Sequence, residues 1–318
     1  MSFSLSVKQE LLKAERDTDA LFCMLAGEIL LAGALVVSNK TISFELASEN
    51  KEFLEYAEKQ LVRCFQISPE TMKIKVVSKT KYVLTLNSQD GFRVLQELMI
   101  VFRNRDGEIE FRRDVNPNLM VDLPSKKNYL AGAFCGAGSI SIPSQEGADR
   151  GGYHMEWVCQ TEEKAETICQ FLAEMDIISK KIERHGNYVV YLKESDAICK
   201  ALAEMGAIKN MLELENHKVE RLVRNNINRQ SNCLSANLDK VMSASAKQVR
   251  AIEIIKSTIG IENLPEPLCE VALARLASPE ASLSDLAVLT GGKISRAGIS
   301  LRLKKLMEIA ETLGEENE

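Results

Sequence analysis

No segment of the chain approaches eighteen consecutive apolar residues, so no membrane-spanning helix is expected. The first residues, Met1-Ser2-Phe3-Ser4-Leu5-Ser6-Val7-Lys8, lack a long apolar run behind a basic start and do not read as a secretory signal. A cytoplasmic location without membrane association is the resulting expectation. Cysteine pairs of the C-x-x-C kind are absent, although Cys23, Cys64, Cys135, Cys159, Cys169, Cys199, Cys233 and Cys269 are present. Most of these sit among apolar neighbours and read as small buried hydrophobes in a reducing compartment. Histidine is scarce. His154, His185 and His217 stand apart, and no ligand-like spacing supports a zinc site or a Cys–His nucleophile. No metal or cofactor is expected. An overall basic excess is missing too: the net charge is −5. That total argues weakly against nucleic acid, but the distribution of charge decides more than the sum.

The 318 residues, 45% of them apolar and 27% charged, suffice for two domains with a sizeable core. One pattern occurs twice. Leu25-Ala26-Gly27-Glu28-Ile29-Leu30-Leu31-Ala32-Gly33 and Leu130-Ala131-Gly132-Ala133-Phe134-Cys135-Gly136-Ala137-Gly138 share the form Leu-Ala-Gly-x-x-x-x-Ala-Gly. Ala26 and Gly27 in one helix, and Ala131 and Gly132 in the other, leave almost no side chain on one face. Two such helices can approach more closely than the usual ~8–10 Å between axes.

Each copy heads a similar series. After the first come strands at 35–38 and 41–46 around an Asn39-Lys40 turn. A helix is predicted over 50–64, with Phe53, Leu54, Ala57, Leu61 and Val62 at three- and four-residue steps. Strands at 72–77 and 82–86 and a helix over 91–101 complete the half. After the second copy come strands at 139–142 and 153–159 and a helix over 162–175. A hairpin, 180–183 and 188–192, turns at His185-Gly186-Asn187, and a helix follows over 195–205. Periodicity thus predicts an α+β domain of two αββαββα halves, about 1–102 and 125–215. The segment 103–124, with two prolines and mixed charge, connects them.

From about Met211 the strand signal ends. A helix is predicted over 211–229 with Arg221, Arg224, Asn225, Asn228 and Arg229 on a polar face. Asn228, Gln230, Ser231, Asn232, Ser235 and Asn237 are expected to interrupt it, giving a helical linker over 216–245. Another helix is predicted over 246–259, stopped by Gly260. Basic residues concentrate here: Lys218, Arg221, Arg224, Arg229, Lys240, Lys247, Arg250 and Lys256 stand against Glu220, Asp239 and Glu253. The acidic excess lies elsewhere, partly in the tail Glu315-Glu316-Asn317-Glu318.

The region 246–318 reads as a small all-α domain with its motif at about 281–314. Pro265 and Pro267 open a helix bearing Leu268, Val271, Ala272 and Leu276, which Ser278-Pro279 ends. Ser282 precedes Asp285 by three residues in a capping-box arrangement and starts a short helix over 283–289. Thr290-Gly291-Gly292 forms the turn, and Ser295 caps a third helix. Ile299, Leu303, Leu306, Ala310 and Leu313 form one apolar stripe on it. At roughly 100° per residue, Ser300, Lys304 and Lys305 point away from the stripe, and Arg296 and Arg302 flank it. Between Lys293 and Lys305 there is no acid. A short helix, a glycine turn and a basic second helix resemble a helix-turn-helix, in which the last helix enters the major groove of DNA. Leu301 also points outward, toward either a thymine methyl or another protein.

The repeated nine residues resemble the LAGLIDADG motif of homing endonucleases. The resemblance implies a metal-holding acid at the eighth position of each copy, where this chain has Ala32 and Ala137. A degenerate LAGLIDADG pair followed by a helix-turn-helix resembles the WhiA family of bacterial regulators. Matching stretches include Tyr129 to Phe134, Asn232-Cys233-Leu234-Ser235-Ala236-Asn237-Leu238 and Ile294-Ser295-Arg296-Ala297-Gly298. The resemblance implies a non-catalytic protein that binds double-stranded DNA, associates with the nucleoid and is linked to cell division, chromosome segregation or sporulation. A second regulatory protein as partner is also in keeping with it. The expected DNA contacts are Ser282, Lys293, Ser295, Arg296, Ser300, Arg302, Lys304 and Lys305, with Arg221, Arg224 and Arg229 in support. Leu301 departs from a polar reading helix. Two other readings remain. An active nuclease needs carboxylates around Mg²⁺, and Glu28 lies one helical turn from Ala32 without a counterpart at Ala133. A protein-interaction scaffold or nucleoid factor would use a first domain that no longer touches DNA. Lys73, Lys75, Lys79 and Lys81 fit either phosphate contacts or a solvated strand face.

Overall fold

Ser2 accepts a hydrogen bond from the Leu5 N–H and starts α1 (Phe3–Lys13), a helix absent from the sequence reading. Its apolar side, Val7, Leu11 and Leu12, is buried. Asp17 caps α2 (Thr18–Ala32), which carries the first nine-residue copy. The computed structural model describes residues 2–38, 41–143 and 151–315, in two compact units, Met1–Arg221 and Leu222–Glu318. The expected Asn39-Lys40 turn and residues 316–318 of the acidic tail lie outside the described residues.

In the first unit α2 leads into β1 (Gly33–Ser38), β2 (Thr41–Ser48), α3 (Lys51–Phe65), β3 (Met72–Ser78), β4 (Lys81–Leu86) and α4 (Ser88–Glu97). The strands form an antiparallel sheet in the order β1-β2-β4-β3. Ile42, Phe44 and Leu46 of β2 are buried at period two, which fixes the register. The helix predicted to reach 101 stops at Glu97, because Met99 takes φ 54°. Val101 instead opens β5 (Val101–Arg103), which pairs with β6 (Ile109–Phe111) inside the segment expected to be a plain connection.

Asp122 then caps α5 (Leu123–Ala137), with Pro124 in its first turn. The second half follows as β7 (Gly138–Ser141), β8 (His154–Cys159), α6 (Glu162–Glu174), β9 (Lys180–Arg184), β10 (Asn187–Leu192) and α7 (Ser195–Met205). Its sheet order, β7-β8-β10-β9, repeats that of the first half. Two αββαββα halves therefore share one core, with Trp157, Tyr129, Phe44, Phe53 and Phe134 fully buried in it.

The expected break near 230–237 does not occur: α8 is one helix, Ile208–Thr258. The reason lies in composition. Asn and Ser are weak helix formers, but no Gly or Pro falls within these residues, and only those two residues carry a large helix penalty. In the second unit α9 (Glu266–Ala277), α10 (Leu283–Leu289) and α11 (Arg296–Glu315) enclose a core of Ile252, Ile255, Leu268, Val271, Leu286, Ile299, Leu303 and Leu306.

Four of the cysteines are buried, Cys23, Cys135, Cys159 and Cys199, and burial pushes the Cys159 and Cys199 thiols up to about 12. Cys233 departs from the expected pattern, because it is exposed on α8.

Candidate nucleic-acid interface

The nine-residue copies lie on facing helices. A Cβ built on Gly132 would sit 1.8 Å from the Met24 carbonyl oxygen, and one on Gly27 would sit 2.3 Å from that of Tyr129. One turn further on, a Cβ on Gly136 would meet the Ala32 Cβ at 2.9 Å. Glycine is required at Gly27 and Gly132 because backbone occupies the space, whereas at Gly136 the obstacle is the Ala32 methyl group. The seam thus runs through Gly27, Gly132 and Gly136. Gly136 was missed in the sequence, although it follows Gly132 by one helical turn.

Ala32 and Ala137 end α2 and α5, and both are half-buried methyl groups. Neither side chain has an atom that can ligate a cation. Beside Ala32 the last carbonyls of α2 are already taken: Lys164 Nζ donates to Leu30 O at 2.5 Å and Gln160 Nε2 donates to Leu31 O at 2.5 Å. A fixed cation therefore meets the negative end of this helix. Glu28 is fully buried. With the Gln60 amide turned to satisfy both groups, its nitrogen donates to Glu28 Oε2 at 2.7 Å. Burial raises the Glu28 carboxyl well above the usual carboxylate range, against the opposing effects of Gln60 and Arg16. Among the described residues, no three His, Cys, Asp or Glu side chains are gathered to hold a metal ion.

The second unit builds its surface from caps and a turn. Ser282 Oγ accepts from the Asp285 N–H while Asp285 accepts from the Ser282 N–H, and this closed box starts α10. Ser282 is therefore half-buried and engaged in its own helix. Gly291 and Gly292 have φ 73° and 71°, so the turn out of α10 needs glycine at both positions. Thr290 is buried and donates its hydroxyl to Leu286 O at 3.0 Å, locking the turn. Ser295 Oγ accepts from the Gly298 N–H at 3.2 Å and begins α11.

On α11 the stripe Ile299, Leu303, Leu306 and Ala310 is buried. Arg296, Ser300, Lys304 and Lys305 are exposed, as is Lys293 in the turn before them. Arg302 is half-buried. A Cβ on Gly298 would come within 3.0 Å of its Nη1, so the glycine makes room for the guanidinium along the helix. Lys304 shares its charge with Glu308 at 3.8 Å. Leu301 is 70% exposed in the middle of this basic surface.

Arg275 was not singled out in the sequence. It is 2% exposed, and its Nη1 donates to Ala281 O at 2.7 Å and Pro279 O at 3.2 Å. Ser245 of α8 donates to the same Pro279 carbonyl. These bonds fix the chain between α9 and α10. An arginine three positions before Ser278-Pro279 carries no motif, and only the fold reveals what it holds.

The supporting arginines differ among themselves. Arg221 donates to Gly151 O at 3.4 Å and lies 5.7 Å from the Tyr153 ring centre, so its own fold holds it. Arg224 and Arg229 are exposed on α8. On β3, an edge strand, Lys73 and Lys75 are exposed on one face.

Known proteins carry the same two parts in the same order. The family described as WhiA LAGLIDADG-like domain matches residues 126–224, and that described as WhiA C-terminal HTH domain matches residues 227–310. The chain is 35% identical to the probable cell division protein WhiA of Clostridium acetobutylicum, over 99% of both chains. It is 33% identical to its counterpart in Clostridium perfringens, over 98% of both. The crystal structure of full-length DUF199/WhiA from Thermotoga maritima superposes with a TM-score of 0.56 at 24% identity, covering 98% of this chain and 99% of that one. A degenerate LAGLIDADG-like unit joined to a helix-turn-helix, with relatives matched end to end, makes this chain a member of the WhiA family.

Proposed function

We propose that this protein is a non-catalytic, sequence-specific DNA-binding regulator tied to cell division, with chromosome segregation or sporulation genes among its targets. The observation that carries this reading is the outer face of α11. It presents Arg296, Ser300, Lys304 and Lys305 without an acid between Lys293 and Lys305, on a helix held by a glycine turn and a buried stripe. Such a helix supplies the donors that base edges and phosphates accept in the major groove. Arg302 and Lys293 extend the surface. Ser295 and Ser282 act through it by capping their helices. Arg224 and Arg229 of α8 offer further phosphate contacts, and nucleoid association follows from the same chemistry. The probable cell division proteins that this chain resembles support the regulatory role.

Absence of nuclease activity is part of the proposal. Phosphodiester hydrolysis on this scaffold needs carboxylates that hold a divalent cation between the attacking and leaving oxygens. Ala32 and Ala137 stand at the two helix ends, Lys164 meets the α2 carbonyls, and Glu28 is buried against Gln60.

The test is genome-wide DNA capture with the intact protein beside the variant Arg296→Ala, Arg302→Ala, Lys304→Ala. Enrichment at discrete promoters that vanishes in the variant is the expected outcome. Unchanged enrichment would remove α11 as the source of specificity.

A further inference from the structure

The first turns of α1 and α3 open onto one cavity of about 810 Å³ in the first unit. Ser2, Ser4, Lys8, Asn50, Lys51 and Lys81 line it. Each helix brings the positive end of its dipole and backbone N–H groups that its own turns leave without a carbonyl. Lys8 is the informative member. It is half-buried, and its partial burial lowers its affinity for a proton. Among the described residues no carboxylate pairs with it. The contact at its ammonium is the Phe134 ring, 5.9 Å away. Asn50 adds an orphan: its Oδ1 accepts from the Glu52 N–H, while its buried Nδ2 has no partner. Lys51 forms an exposed pair with Glu55, and Glu49 is the one acid on the cavity wall among the described residues.

A half-buried ammonium without a counter-charge loses part of its hydration, and an anion in the cavity offsets that loss. Three ammonium groups, serine hydroxyls and two helix N-termini together match the oxygens of phosphate. The cavity is larger than inorganic phosphate requires and falls within the ~300–1,000 Å³ of small-molecule sites. Tyr82 on its wall supplies an aromatic ring. We propose that this cavity binds the phosphate groups of a phosphate ester of nucleotide size. The same chemistry has two sources, a free nucleotide or a backbone phosphate of bound DNA. The site lies wholly within the first unit and does not depend on α11 reading sequence.

Titration calorimetry of the full chain with pyrophosphate and with ATP, without DNA, tests the first source. The variants are Lys8→Met, which keeps an unbranched apolar stem and removes the unpaired charge, and Lys81→Ser on an exposed position, informative even if the first variant fails to fold. Saturable binding is expected in the parent, weakened about tenfold by loss of either ammonium. The triple α11 variant is expected to keep it, so this result separates the site from the helix-turn-helix. If neither small anion binds, the salt dependence of duplex DNA binding decides. A slope reduced by about 0.9 for each lysine removed assigns the site to the DNA backbone and upholds the proposal. Small-anion binding that survives both substitutions overturns it. So does the absence of small-anion binding combined with an unchanged salt slope.

Discussion

Glu28 holds the fourth position of the first nine-residue copy, where the second copy has Ala133. In the sequence it stood out as an acid one turn from the place where a nuclease needs one. Its burial was not legible there, because the partner, Gln60, comes from α3, and nothing local announces that contact. The buried carboxyl binds its proton more tightly when folded than when unfolded. Its contribution to stability is complete below the unfolded value of about 4.3 and is lost as pH rises toward the raised folded value. Glu28→Gln keeps the shape and removes the titration. The variant is expected to gain on the parent as pH rises through that window, by at most about 1.4 kcal/mol per pH unit. Denaturation midpoints of both proteins between pH 4 and pH 8 check this, and a pH-independent difference would contradict it. Arg275 teaches the complementary point, since its carbonyl partners at Pro279 and Ala281 become visible only once the turn between α9 and α10 is folded.

At the scale of elements, the α2–α5 seam was readable because glycine recurs at the same offset in two copies, and backbone proximity is what glycine permits. The seam also makes two physical effects disagree in sign. In an ordinary helix, Gly→Ala stabilises by about 1 kcal/mol. At Gly132 the new Cβ would lie 1.8 Å from the Met24 carbonyl oxygen, which belongs to a packed helix and has no free rotation. Gly132→Ala is therefore expected to destabilise by about 3 kcal/mol, measured by urea denaturation. A stabilised variant would mean that the two helices are further apart than described. The halves themselves were legible from period-two and period-3.6 patterns, and α7 (Ser195–Met205) agrees with its predicted bounds. The misses share a cause. In α1 the serines Ser4 and Ser6, behind the Ser2 cap, obscure a short apolar face, and β5–β6 is a three-residue pairing below the length at which alternation shows. In α8 the Asn and Ser residues looked like punctuation, but they only weaken a helix that no Gly or Pro interrupts.

For the whole molecule, composition and function pull apart: a chain of net charge −5 is proposed to hold a polyanion. The conflict is resolved by where charge sits, since long-range repulsion from distant acids is screened within ~8 Å at physiological salt, while contacts at the groove release counterions directly. The logarithm of affinity should fall with the logarithm of salt concentration by about 0.9 per phosphate neutralised. Lys293, Lys304 and Lys305 are exposed, and the Lys304–Glu308 pair is long and solvated, so it yields readily to a phosphate. Replacing all three by alanine is expected to flatten the slope by up to about 2.7, read from operator binding across a salt series. Replacing Arg221, Arg224 and Arg229 should change it less, because Arg221 is held by Gly151 and Tyr153 in its own unit. The reverse ranking would place the electrostatic footprint on α8 and leave α11 with base contacts alone. Equal slopes in all three proteins would mean that neither set reaches the backbone, and the phosphate contacts would then have to come from the first unit, where Lys8, Lys51 and Lys81 already share one cavity.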